Sequence, residues 1–475
     1  MFMPKTLVRL VVLAFFAISF AGAQTTYKIS GTVTRDVNPG TSVPVPGVTM
    51  TLGGAQTATT TTNALGQYAF NGLPAGGFFT ITPSSPGYHF GPFTGIVTSL
   101  MRDVVADFKA TFDAVPSLVL SRTQLRFGAT AGGAFITGGQ EVRVNLVGDA
   151  ASSVSWTATP SQPWINVSPA GGTGSGQFTV SINANAIPTG IGTTNGTITV
   201  MASNANGSPQ TITVSLNTLS AAVTAAPFGV VDTPANGATN VSGAIGVTGW
   251  ALDDIEVVRV SLWRDPIPGE QVAANGLVFI GDAVFVDGAR PDIANAFPTY
   301  PLNTRGGWGV QVLTNMLRNS NGSAGTGNGT YKLSVFAHDR EGKTTLLGAP
   351  TITVNNAAAT RPFGTIDRPL NGETVSGVFT VFGWALTPQP AAIPTDGSTI
   401  WVFVDGVPLG HPVYNQFRSD IAALFPGYNN TNGAVGYFIL NTTTLSNGLH
   451  SIAWSVTDNL GRIEGIGSRL FYVQN

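Results

Sequence analysis

Pro362-Phe363-Gly364, Asp367, Asn371-Gly372, Ser376-Gly377 and Gly383-Trp384-Ala385-Leu386 repeat, in the same order, Pro227-Phe228-Gly229, Asp232, Asn236-Gly237, Ser242-Gly243 and Gly249-Trp250-Ala251-Leu252. Further on, Arg290-x-Asp292-Ile293-Ala294-x-x-Phe297-Pro298-x-Tyr300 returns as Arg418-x-Asp420-Ile421-Ala422-x-x-Phe425-Pro426-x-Tyr428. The two tryptophans lie about 134 positions apart, far beyond a solenoid period, so each copy is a whole domain. Within the second copy, Ile400-Trp401-Val402-Phe403-Val404 alternates aliphatic and aromatic residues and runs into Asp405-Gly406, a hairpin-turn pair. Alternation with period two reads as a strand with one buried face.

The same grammar fills the rest of the chain. Phe178 to Asn183, Gly196 to Val200 and Thr211 to Leu216 alternate between turn residues, and the chain carries 59 Gly and 30 Pro. Helical patterns are confined to Asp292 to Phe297 and Asp420 to Phe425, where Asp is expected to cap a short helix and Pro to stop it. Periodicity lapses at Ala114 to Ser117, Ser220 to Ala226 and Asn356 to Arg361, which read as linkers in a string of domains. Asn319 to Asn328, an insertion in the first copy, reads as an unstructured loop tip. The fold class expected is all-β, four tandem β-sandwiches after a signal peptide, over residues 26–112, 117–219, 227–355 and 362–475.

Residues 1–23 carry the signal: Lys5 and Arg9 precede an apolar run from Leu10 to Phe20, and Ala21-Gly22-Ala23 before Gln24 fits the cleavage rule. The mature chain is expected outside the cell and without a membrane span. There is no Cys, which excludes disulfides, thiol chemistry and Cys-bound zinc. With 22 basic and 24 acidic residues, net charge −2, there is no basic stripe for nucleic acid.

Ile29 to Val33, Pro46 to Leu52, Gly66-Gln67-Tyr68-Ala69-Phe70 and Gly87-Tyr88 resemble the carboxypeptidase regulatory-like domain, a small prealbumin-type sandwich. Pro163-Trp164-Ile165-Asn166-Val167-Ser168-Pro169 and Gly171 to Gly174 are similar to the BACON domain, an Ig-like sandwich attached to glycan-processing enzymes of bacteria. The two C-terminal copies look like bacterial Ig-like domains. These resemblances imply a secreted bacterial accessory protein concerned with adhesion, spacing or glycan contact, with no site carried over residue by residue.

Catalytic patterns are missing. The four His lie apart, and no Gly-x-Ser-x-Gly or His-Glu-x-x-His occurs. Most acids sit in turns, where Asp bonds its own backbone. Asp339 to Gly342 and Asp458 to Gly461 are such turns, without the alternating oxygens of an EF-hand loop; calcium at a domain junction is the competing reading. No enzyme activity, cofactor or metal is therefore expected. Trp164, Trp250 and Trp384 are expected in cores. The candidate carbohydrate contacts are Trp401 and Phe403, opposite the aliphatic face of Ile400, Val402 and Val404, and Trp263, opposite Val258, Val260 and Leu262. Tyr300 and Tyr428 join them as tips of the repeated loop. The expected partner is a polysaccharide or other cell-surface polymer; the alternative is a spacer or adhesin that binds protein partners.

Overall fold

A computed structural model describes residues 25–38, 41–113, 115–323 and 327–475. The expected signal peptide, Ala114 and the tip of the 319–328 insertion lie outside the described residues. Strands dominate the regular structure, with two short α-helices among the described residues, and the hydrogen bonds of eight sheets each stay within one of four stretches of chain. In the first stretch, Thr26–Asn38 lies at the centre of a sheet with Thr41–Pro44, Gln67–Pro74 and Phe108–Phe112, and packs on a second sheet around Thr49–Gly54 and Phe79–Ser84. In the second, Gln140–Val147 and Gly176–Ile182 face Gln210–Leu219 and Gly192–Ala202, with Trp156, Trp164 and Phe178 buried between.

The two repeats share one topology. Phe228–Thr233, Ala244–Leu252, Gly307–Leu313 and Val284–Phe285 form one sheet of the first copy, and Phe363–Arg368, Val378–Leu386, Val435–Asn441 and Val413–Gln416 form its equivalent. The opposing sheets are centred on Gly329–Asp339 with Val257–Arg264, and on Gly448–Thr457 with Ile400–Val404. Ile400, Val402 and Val404 are fully buried, and the Asp405-Gly406 turn takes positive φ at both residues (50° and 75°), as a two-residue hairpin demands. In the first copy a register shift between Val257 and Arg259 turns Val258 outward, 45% exposed, so the buried set there is Val257, Val260 and Leu262.

The tryptophans that fill the two sandwiches come from opposite sheets. Trp308 does so in the first copy and Trp454 in the second. The position matching Trp454 is Val335, and the one matching Trp308 is Gly436. A Cβ on Gly249 would lie 2.4 Å from the Trp308 ring; on Gly383 it would lie 3.1 Å, and on Gly436 3.5 Å, from the Trp454 ring. Trp384, expected as a core plug, is buried elsewhere: it lies on the outer side of its sheet, under helix Ser419–Leu424, with Phe363 and Phe425. Its equivalent Trp250 is only half-buried.

The four sandwiches do not form an open string. Tyr472 of the fourth donates its hydroxyl to the Asp287 carbonyl of the third and lies under the Arg143 guanidinium of the second, 4.0 Å from ring centre. Arg122 pairs with Asp287 across the same junction. Ala64 of the first packs into the core of the fourth. The connections are tied down too. Lys343 bonds Thr224 and the Ala225 carbonyl, and buried Asn356 accepts from the Gly243 amide at 2.9 Å. Even the insertion is hydrogen-bonded at its base, Asn319 accepting from the Asn328 amide at 2.9 Å.

Beside that packing, buried His450 places Nδ1 2.7 Å from Asp405 Oδ2 and Nε2 2.8 Å from the Ser446 carbonyl. Both partners are acceptors, so only the imidazolium satisfies them. Burial opposes that charge, but the carboxylate and the carbonyl outweigh it and the His450 pKa is raised. Its stabilisation is thus complete below the unfolded value near 6.5 and lost as pH rises through the higher folded value. Thermal melts at pH 6 and pH 9 should differ by roughly 2–5 °C more in the native chain than in His450→Gln.

Candidate functional site

The repeated loop that ends in Tyr300 and Tyr428 packs against its own sheet. Asp292 does not cap its helix; it accepts from Arg290 Nε and Nη2 at 2.9 and 2.7 Å, while Nη1 reaches Asp232. Arg418 joins Asp420 and Asp367 in the same way. This fork fixes the loop on its sheet and lays Tyr300 against Phe228 and Phe297 (ring centres 5.1 and 6.0 Å), and Tyr428 against Phe363 and Phe425 (5.3 and 6.1 Å). Both tyrosines are half-buried.

Trp263, Trp401 and Phe403 sit on the outer faces of the other sheets. The structure therefore does not bring them together with Tyr300 or Tyr428. Trp401 is 40% exposed, its ring 4.1 Å from that of His411, and Phe403 is half-buried beside it. Trp263 is half-buried, edge-on to Phe279 at 5.0 Å, and donates Nε1–H to Ser261 Oγ at 2.8 Å. Ser261 also meets His338 Nε2 at 2.8 Å, and His338 Nδ1 meets Thr344. His338 thus lies between two hydroxyls, with a Thr where a hydrolase needs a carboxylate, and Ser261 is closed to solvent.

A third aromatic face went unread in the sequence. On the outer side of the sheet formed by Val378–Leu386 and Val435–Asn441, Phe382 stands opposite Tyr437 in the strand register, ring centres 6.3 Å apart. Phe417 (67% exposed), Ile439 (52%) and Phe382 (41%) surround an open hollow of about 630 Å³, with Gln416, Arg368 and Arg418 at its rim. Alternation forces the arrangement: Val381 and Leu440, next to Phe382 and Ile439 along their strands, are buried in the core, and Phe438, between Tyr437 and Ile439, packs against it.

The first copy carries Thr248, Gly309, Ala289, Gln311 and Gly246 where the second has Phe382, Tyr437, Phe417, Ile439 and Thr380. There the small residues make way for the next sandwich: Arg469 Nη2 donates to Gln311 Oε1 at 3.0 Å, and Gly467 and Ser468 close a hollow of about 380 Å³ over Gly246, Thr248 and Gly309. The same face is a domain junction in one copy and a bare aromatic platform in the other. Comparing the copies position by position would have found it in the sequence.

Residues 118–218 match the family described as the viral BACON domain. Over 108 residues, 22% of this chain, the protein is 36% identical to the chitinase ChiA of Flavobacterium johnsoniae, and the match spans 6% of that protein's length. Among solved structures, the fibronectin(III)-like modules of Clostridium thermocellum CbhA are similar over 52% of this chain and 94% of theirs, at 13% identity and a TM-score of 0.17. Dimeric latent PorU of Porphyromonas gingivalis is similar over 77% of this chain and 35% of its own, at 11% identity and a TM-score of 0.30. Those two alignments are too loose to bear on function. Among the described residues no helix is long and apolar enough to cross a membrane.

Proposed function

We propose that this is a secreted, non-catalytic bacterial protein that holds a neutral polysaccharide on the Phe382–Tyr437–Phe417 face. In this reading the signal peptide is cleaved between Ala23 and Gln24. Residues 26–112 are a carboxypeptidase regulatory-like module, 117–219 a BACON module, and 227–355 and 362–475 Ig-like copies. The observation that carries it is the exchange of small residues for exposed aromatics at one face of one copy. Sugar rings present C–H faces that lie well on aromatic rings, and a flat sheet offers two adjacent rings to a polymer chain. The rim is polar and the whole chain nearly neutral, which suits a neutral ligand. The BACON match and the stretch shared with a chitinase support a carbohydrate context.

Phe382→Ala with Tyr437→Ala should keep the circular dichroism spectrum, because both side chains leave the sandwich core untouched. It should weaken retention in polysaccharide affinity electrophoresis at least tenfold, about 1.4 kcal/mol. Trp401→Ala with Phe403→Ala reads the opposite sheet in the same gel. If only that pair abolishes retention, the ligand sits on the other face; if neither does, the glycan reading falls. A second reading follows from the first copy, whose matching face docks a sandwich: the platform receives a protein partner instead. A loss of self-association in the Phe382 and Tyr437 variant, with no effect on glycan retention, would favour it.

A further inference from the structure

At the end of the third sandwich nearest the second, the carboxylates of Asp253, Asp254 and Glu341 converge without a counter-charge. Asp253 and Asp254 follow strand Ala244–Leu252; Asp339 ends strand Gly329–Asp339, and Glu341 lies in the turn after it. One carboxylate oxygen each from Asp253, Asp254 and Glu341 lie within 4.8 Å of one another. Asp253 and Asp339 are almost wholly buried, at 2% and 3% exposure.

Each aspartate spends one oxygen on backbone. Asp253 Oδ2 accepts from the Ile255 and Glu256 amides at 2.9 Å, Asp254 Oδ2 from Ala225 at 2.7 Å, and Asp339 Oδ1 from Lys343 at 2.7 Å. The other oxygen of each, and both of Glu341, are buried with no hydrogen-bond partner among the described residues. Four unsatisfied carboxylate oxygens in one cluster, with a fifth on Asp339, are far more than a folded domain normally tolerates. The nearby cations are committed elsewhere, Arg340 to Glu256 and Lys343 to the 224–225 backbone.

The second copy makes the contrast. Thr387, Pro388 and Leu460 stand where the first has Asp253, Asp254 and Glu341. The one acid left, Asp458, is neutralised inside the domain by Arg462 Nε at 2.9 Å and Thr387 Oγ1 at 3.2 Å. The same turn is self-sufficient there and incomplete in the first copy.

We infer that Asp253, Asp254 and Glu341 bind a divalent cation of the calcium type. Hard oxygen ligands, several charges and a loop-and-strand-end frame are what calcium takes. The site joins two sandwiches. Asp254 holds the 220–226 connection through Ala225, and its carbonyl lies against Gly128 of the second sandwich, where a Cβ would come within 2.1 Å. Thr137 Oγ1 donates to the Ile255 carbonyl at 2.6 Å, and the Gly138 amide to Glu256 at 2.8 Å. An ion here would fix the angle between the second and third sandwiches.

The test is calorimetric titration of the EDTA-stripped full chain with calcium chloride, alongside thermal melts in calcium and in EDTA. Binding heat is expected, with the melting temperature raised by roughly 5–10 °C at about a hundredfold excess over Kd. Asp253→Asn and Glu341→Gln, the second of which holds no backbone, should each weaken binding at least tenfold. At the same calcium concentration each should show about half or less of the native calcium-induced rise in melting temperature. Absence of binding heat and of any calcium-dependent melt in the native chain would overturn the assignment. So would undiminished binding in both variants, or binding of magnesium chloride in preference to calcium.

Discussion

Replacing Trp454 by alanine is expected to cost about 3–5 kcal/mol, the largest loss from a single side chain in the second copy. The indole is 1% exposed and lies between the two sheets against Gly383 and Gly436, whose missing side chains leave space shaped for it. No neighbour can expand to refill that space, so the cavity term adds to the lost apolar burial. Its Nε1–H has no hydrogen-bond partner among the described residues. Trp454→Phe therefore keeps most of the contact and removes an unsatisfied donor, and should cost less than about 1.5 kcal/mol. Denaturant titration of the full chain, followed on the transition that the alanine variant shifts, separates the two. Equal losses would mean that the N–H has a partner after all.

The second large effect lies in the first copy. Glu270 grips Arg264 with two bonds of 2.6 Å and accepts the Ile267 amide at 2.9 Å, and both side chains are nearly closed to solvent. Glu270→Ala strands the guanidinium in a place water does not reach and should destabilise by about 3–5 kcal/mol. Replacing both partners with leucine should restore most of it. The bonds from Arg264 hold the Glu270 carboxyl down at about 2. The pair's contribution is therefore intact above the unfolded value of about 4.5 and disappears as pH falls through 2. Acid unfolding of the native chain should be steeper in that window than that of the double leucine variant.

Much of the architecture could be read without coordinates because alternation is a local signal. Ile400, Val402 and Val404 announce their buried face, and Asp405-Gly406 its turn. The repeat announced equivalent topologies in the same way. What escaped depends on the partner strand. Val258 breaks the pattern only because its neighbour strand forces a register shift. Trp384 is as buried as Trp454, yet on the outer side of its sheet, and the hydrophobicity of a tryptophan does not tell the two sides apart. The packing of four sandwiches on one another was hidden for a similar reason: Tyr472, Arg143 and Asp287 meet across hundreds of residues and share no motif. The aromatic platform was hidden in plain view, since Phe382 and Tyr437 look like ordinary strand residues until set beside Thr248 and Gly309.

Adjacent copies with the same strand order face a hazard during synthesis, when a strand of one can pair into the other. The tryptophans guard against it. A hybrid taking Gly307–Leu313 from the first copy and Gly448–Thr457 from the second would hold both Trp308 and Trp454, two indoles in space for one. The reciprocal hybrid would hold Gly436 and Val335 and be left hollow. Either swap loses several kcal/mol of packing, while each correct pairing has one indole. Gene conversion that made the two copies more alike at only one of these positions would meet the same penalty. The two sandwiches can thus keep a common topology while remaining unable to exchange parts.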